Sequence, residues 1–416
     1  MAGAVTDAET TSFLSRAYRE HGARIHAALV RRVHDLELAE DALQDASVAA
    51  LEQWKDERPR DPAAWLVRAA FHKAVDRIRR SRLDATKRAE IEALEEAFDP
   101  ELSFDPLAED DRLRLMFLCC HPALPFESQV ALTLRTVSCL TTVEIARAFM
   151  LPEATMAQRL VRAKQKIRDA RIPFRTPDLD ETGERIDAVL AVVYLVFGEG
   201  YAATGGAALV RDDLCTEALR LARLLVDLVP SSGPAAGLRA LLLLTDARRA
   251  ARVDPAGDLV LLEDQDRSLW NREATARGLA EVERAIHLGP SRHPYTLQAA
   301  IAALHARAPS PAETDWRQIV SLYGLLREAS PSPVVDMNHA VAVAMVDGAR
   351  SGLALLDAIG AEGELDGEHL FHAARADLLR REGNLAEARQ AYERAAARAT
   401  NEPERRFLAR RIRELG

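Results

Sequence analysis

Thr155, Gln158, Arg159, Arg162 and Lys166 follow one another at helical spacing, which puts all five on one face. The set joins short polar side chains to cations. Gln and Arg can each make two hydrogen bonds to a base edge, while Arg and Lys neutralise phosphates. This chemistry is non-covalent: the side chains would read a duplex through its major groove. A second set, Lys55, Arg58, Arg60, Lys73, Arg77, Arg79 and Arg80, is basic and lies earlier in the chain. A third, Asp41, Gln44, Asp45 and Glu52, is acidic and polar.

The first set needs a helix-turn-helix to position it, and Leu140 to Arg168 supplies the pattern. Thr141 followed by Glu144 is a capping box that can start a helix. Val143, Ala146 and Phe149 are expected to form its apolar stripe. Met150-Leu151-Pro152 breaks that helix, and Pro152 suits the first turn of the next. In the second helix Met156, Leu160, Ala163 and Ile167 are expected to face inward. The acidic set needs a helix over 39–54, with Ala39, Leu43, Ala46, Ala50 and Trp54 inward and Glu37, Glu40, Asp41, Gln44, Asp45 and Glu52 outward. Asp61, with Pro62 behind it, caps a third helix lined by Trp65, Leu66, Ala69, Ala70, Ala74 and Ile78, which leaves in the basic run Arg77 to Arg82.

The chain has 416 residues, 48% hydrophobic, 29% charged and 5% aromatic. Rich in Leu, Ala, Arg and Glu, it is expected to be all-α, soluble and of several domains. The net charge of −9 hides two basic clusters, one from Arg68 to Arg88 and one from Arg159 to Arg175, around an acidic run from Glu90 to Asp111. Basic patches on an acidic protein imply localised nucleic-acid contacts. The sequence shows no signal peptide and no run long enough to span a bilayer, so a cytoplasmic protein without a membrane partner is expected. Cys119-Cys120-His121 is read as buried structure, and no metal or cofactor site is expected. There is no Gly-rich phosphate loop, His-Glu metal helix or nucleophile elbow, so an enzyme is disfavoured.

The domains are expected at 10–82, 111–172 and 184–416, with linkers at 83–110 and 173–183. In the last domain, His369 to Glu382, the turn Gly383-Asn384 and Leu385 to Arg398 resemble a tetratricopeptide unit. The domain is therefore expected to be a tetratricopeptide-like array of helix pairs with a concave binding surface.

Taken together, HDLELAEDALQDASVAALEQW, DPAAWLVRAAFHKAVDRIRRSRL and LTTVEIARAFMLPEATMAQRLVRAKQKIR resemble a sigma-70 family RNA polymerase sigma factor of the extracytoplasmic-function type. The segments VYLVFGEGYAAT, DARRAARVDPAGDLVLLEDQDRSLW and QAAIAALHA resemble the fused C-terminal domain of a subgroup of these factors. The resemblance implies core RNA polymerase and promoter DNA as partners, with the C-terminal domain as regulator. It places Asp41, Gln44, Asp45 and Glu52 on the polymerase clamp. Lys55, Arg58, Arg60, Lys73, Arg77, Arg79 and Arg80 fall at the −10 element, and Thr155, Gln158, Arg159, Arg162 and Lys166 at the −35 element. Asp264, Gln265 and Arg267 are candidates for an intramolecular tether between array and sigma domains, and the array could also receive a protein or peptide partner. Two departures stand out: Ala70-Phe71-His72 where Ala-Arg-Asn is common, and Met156-Ala157-Gln158 where Val-Lys-Ser is common. The alternative is a one-component helix-turn-helix regulator with a helical sensor domain, which would not need the first two segments.

Overall fold

The computed structural model describes residues 7–81, 109–149, 151–175, 179–203 and 208–415. Residues 83–108 of the expected acidic linker lie outside these, as do Arg82, Lys87, Arg88 and Met150. Among the described residues the secondary structure is helical, and the one β-type pairing is an isolated bridge between Val253 and Leu259. The chain divides into two compact units, Met1–Val192 and Val193–Gly416.

In the first unit, α1 (Asp7–Val33), α2 (Leu36–Gln53) and α3 (Pro62–Ser81) pack together. His34, at φ 54°, turns the chain between α1 and α2, and the Asp35 carboxylate then accepts from the Leu38 amide at 3.0 Å. Asp61 caps α3 in the same way, accepting from the Ala64 amide at 2.9 Å. Such caps contribute about 1 kcal/mol each. All five expected inward residues of α2 are buried, from Ala39 to Trp54. Trp54 is the hub, with Phe13 and Trp65 packed edge-on at 5.4 and 5.3 Å. Phe71, at the departure from Ala-Arg-Asn, is core.

The second half of this unit contains α4 (Glu109–Cys119), α5 (Phe126–Thr136), α6 (Thr142–Ala148) and α7 (Glu153–Asp169). Cys119 and Cys120 are buried in it against the Thr136 and Thr133 hydroxyls at 3.3 and 3.5 Å. Burial pushes both thiols up to about 12. They pack as small apolar side chains, the structural role expected of them. A long helix, α8 (Leu179–Tyr201), begins inside the stretch expected to be a linker.

The second unit packs successive helices on one another: α9 (Asp212–Leu228), α10 (Gly233–Asp246), α11 (Arg272–Leu288), α12 (Pro294–Arg307), α13 (Trp316–Ala329) and α14 (Pro333–Asp347), with α10 against both α11 and α12. Then come α15 (Ala349–Glu362), α16 (His369–Arg381), α17 (Leu385–Arg398) and α18 (Glu402–Glu414). The expected repeat matches α16 and α17 to within a residue. Gly383 takes the left-handed conformation, φ 86°, that the turn needs, and Ala388 and Tyr392 are buried between the helices. Gly237 lets α10 and α12 touch, since a Cβ there would lie 2.7 Å from the Thr296 hydroxyl.

Candidate nucleic-acid and polymerase interfaces

The helix-turn-helix is set by local hydrogen bonds. The Glu144 carboxylate accepts from the Thr141 amide at 2.7 Å and from its hydroxyl at 2.8 Å. The Thr141 hydroxyl accepts from the Glu144 amide at 3.2 Å, which completes the capping box. The apolar stripe of α6 differs from the expected one. Ile145 and Ala146 are buried, whereas Val143 is exposed and Phe149 half-buried. On so short a helix, the neighbours in α7 decide which side is core. Pro152 sits just before α7, which starts at Glu153.

Met156, Leu160, Ala163 and Ile167 are buried, as their spacing requires. Thr155, Gln158, Arg162 and Lys166 are exposed on the other side. The side chains of Gln158, Arg162 and Lys166 have no partner among the described residues. Arg159 is half-buried, its guanidinium 5.6 Å from the Phe149 ring centroid, so the preceding helix pre-positions it.

A third face of α7 carries Lys164 and Arg168, which were not expected to act. Lys164 Nζ lies 2.8 Å from Glu40 Oε2, and Arg135 Nε lies 2.9 Å from Glu40 Oε1. Arg168 pairs with Glu37 in the same seam. Glu40, expected to face outward on α2, is therefore half-buried between two cations. Burial alone would raise its carboxyl, but Lys164 and then Arg135 outweigh it, and the group lies below its ordinary value. Arg31 of α1 also reaches Asp111 of α4 at 2.9 Å. Together these pairs hold the α2 side of the unit to the helix-turn-helix side. Sequence spacing could flag Lys164 and Arg168, one turn apart beside the buried stripe, but not their partners on a distant helix.

The structure brings part of the acidic and basic sets together. Arg77 donates to Asp41 at 2.6 Å and to Asp45 at 2.7 and 3.0 Å. Its hydrogen bond to Asp45 leads in holding the guanidinium above its ordinary value. Gln44 and Glu52 remain exposed on α2, and in line with them stands Val48, 56% exposed and outside the expected polar set. An exposed β-branched residue flanked at i−4 and i+4 by polar ones was the available signal. Arg58 lies 5.3 Å from the Phe13 ring centroid. Lys55, Arg60, Lys73 and Arg79 are exposed, and the side chain of Arg80 lies outside the described residues. Trp65 packs edge-on against Trp54, in the stripe expected for it on α3.

In the second unit Gln265 is buried and its amide donates to the Val260 carbonyl at 3.4 Å, while Asp264 is exposed. Arg267 donates to the His305 carbonyl at 3.0 Å and to that of Ala308, with its guanidinium 4.6 Å from the Trp270 ring centroid.

Comparison with known proteins matches this geometry. Residues 17–83 match sigma-70 region 2, and residues 114–167 match sigma-70 region 4. Residues 185–286 match a family of unknown function, DUF6596. An uncharacterised protein of Rhizobium meliloti (strain 1021) is 45% identical over 395 residues, covering 93% of this chain and 92% of its own. No helix among the described residues is long and apolar enough to cross a membrane. Sigma regions 2 and 4 imply binding to core RNA polymerase and promoter DNA in transcription initiation, a non-enzymatic role. Both sigma regions, in this order and ahead of a fused helical domain, place the chain in the sigma-70 family, among factors of the extracytoplasmic-function type.

Proposed function

We propose that the chain binds core RNA polymerase through the exposed side of α2, with Gln44, Val48 and Glu52 at the centre and Asp41 and Asp45 beside them. Lys55, Arg58, Arg60, Lys73, Arg79 and Arg80 attach to the −10 region, and Arg77 braces α2 to α3 through its two carboxylates before it meets DNA. Gln158 and Arg159 read base edges of the −35 element, Thr155 supports them, and Arg162 and Lys166 hold phosphates. The observation that carries this reading is the exposed polar face of α7, whose Gln158, Arg162 and Lys166 have no partner among the described residues. The site of action is the cytoplasm, where polymerase and promoter are found.

The seam between α2 and α7 belongs to a closed, promoter-free state. The −10 and −35 elements are 25 base pairs apart by name, roughly 85 Å at about 3.4 Å per pair. With α3 packed on α2 and α2 held against α7, α3 and α7 cannot reach both elements at once, so the Glu40 seam opens when the promoter is bound. The C-terminal array regulates this step, with the exposed Asp264 next to the anchored Gln265 and Arg267 as the candidate contact.

Run-off transcription with core polymerase on a pool of promoter fragments tests the reading. Initiation that needs both polymerase and this chain supports it. Duplex binding without initiation would favour a one-component operator-binding regulator. Comparison with a chain ended after Pro173, checked for helical content, gives the sign of the array's control.

A further inference from the structure

The second unit holds a half-open cavity of about 380 Å³ between residues 261–267 and helices α14, α16 and α17. Its walls are apolar: Leu261, Trp316, Val341, Met345, Leu370 and Phe407. Leu370 is 53% exposed on α16, although the helix buries other apolar side chains well. A largely apolar cavity of this size, with a few convergent polar groups, is in the range of small-molecule sites.

The lining charges balance in number, with Arg267 and Arg381 against Glu263 and Asp377. Arg381 Nη2 lies 3.1 Å from Glu263, and its Nε lies 2.7 Å from Asp377. Arg267 donates through Nη1 to two carbonyls at the end of α12, and its Nε has no hydrogen-bond partner among the described residues. His305 stands edge-on to Trp316 at 5.2 Å. Burial, with Arg248 and Arg267 nearby, pushes its imidazole down to about 4, so it is neutral at pH 7. The Asn338 side chain lines the same cavity and makes no hydrogen bond to a described residue.

A charged occupant would leave water to meet a lining that carries no net charge. We propose that this cavity is a binding site for an uncharged, largely apolar small molecule whose one or two hydrogen-bonding groups meet Asn338 and His305. The site stands on the second unit alone and does not depend on the sigma reading.

The test uses the full chain and two fluorescent probes of similar shape, neutral phenylnaphthylamine and anionic anilinonaphthalene sulfonate. Saturable one-to-one binding of the neutral probe is expected, at least about tenfold tighter than the anionic one. With the neutral probe bound, hydrogen exchange should slow in α14 and α16. Val341→Phe and Ala374→Phe fill the cavity and should each weaken the probe at least about tenfold while the helical spectrum is retained. Equal affinity for the two probes, or slowed exchange elsewhere in the chain, would overturn the proposal. So would unchanged affinity in a folded filling variant. If both variants unfold, the exchange map of the unaltered protein still decides.

Discussion

Lys164 on α7 and Glu40 on α2 form an ion pair 2.8 Å long, with side chains only 14% and 16% exposed. Arg135 takes the other carboxylate oxygen. A pair this shielded is more than surface decoration, since exposed pairs contribute about 0–1 kcal/mol and leaving a desolvated ion unpaired costs more. It joins α2 to α7 while leaving Gln158, Arg162 and Lys166 outside the seam.

Glu40→Gln should loosen that seam, since it leaves Lys164 and Arg135 without their shared anion. An effect of about 1–3 kcal/mol is expected. Energy transfer between labels at Gln53 and Asp169 should fall in the variant. The same transfer should fall in the unaltered protein on acidification. The Glu40 carboxyl is held below its ordinary value of 4.5, so its contribution is complete above that value and is lost as pH drops through the lowered one. Transfer that stays constant in both experiments would mean that α2 and α7 do not depend on this pair.

Arg159→Ala and Gln158→Ala should relax preference at individual −35 positions by about 1–3 kcal/mol each, the worth of a good bidentate base contact. Phe149→Ala should copy part of the Arg159 effect, because the ring orients the guanidinium. Lys166→Ala should weaken all sequences alike and lower the salt slope by about one. A fragment-library binding assay at several salt concentrations separates the two patterns, and one common pattern would remove the assignment of readers.

Thr141→Ala should cost about 1 kcal/mol, since it removes the hydroxyl that accepts from the Glu144 amide and donates to the Glu144 carboxylate. Amide exchange should speed up in α6 before it does in α2 or α3. A change spread evenly over the first unit would show that the cap is not a local device.

Alkylation of the native protein near pH 8 should modify Cys139 well before the other three cysteines. Cys119, Cys120 and Cys215 are buried, with thiols pushed up to about 12, so almost no thiolate is present. Peptide mapping after brief treatment checks the order. Early labelling of Cys119 or Cys120 would contradict the packing against Thr136 and Thr133.

Local signals determined much of this protein. The helices around Ala39–Trp54 and Met156–Ile167, the caps at Asp61 and Thr141, and the Gly383-Asn384 turn could all be read because each depends on residues within one or two turns of each other. So could the outward face of α7, since burial of one stripe at helical period leaves the opposite side to solvent. Tertiary structure alone decided which charges meet. Glu40, Asp41 and Asp45 look alike along α2, yet Glu40 is enclosed by Lys164 and Arg135 while the other two share Arg77. Val143 lost its expected place in the core to Ile145 because α7 chose the side. The cavity beside Asn338 draws its walls from segments far apart in the chain. Ion pairing and enclosure depend on which side chains meet across a fold, and periodicity within one helix holds no record of that.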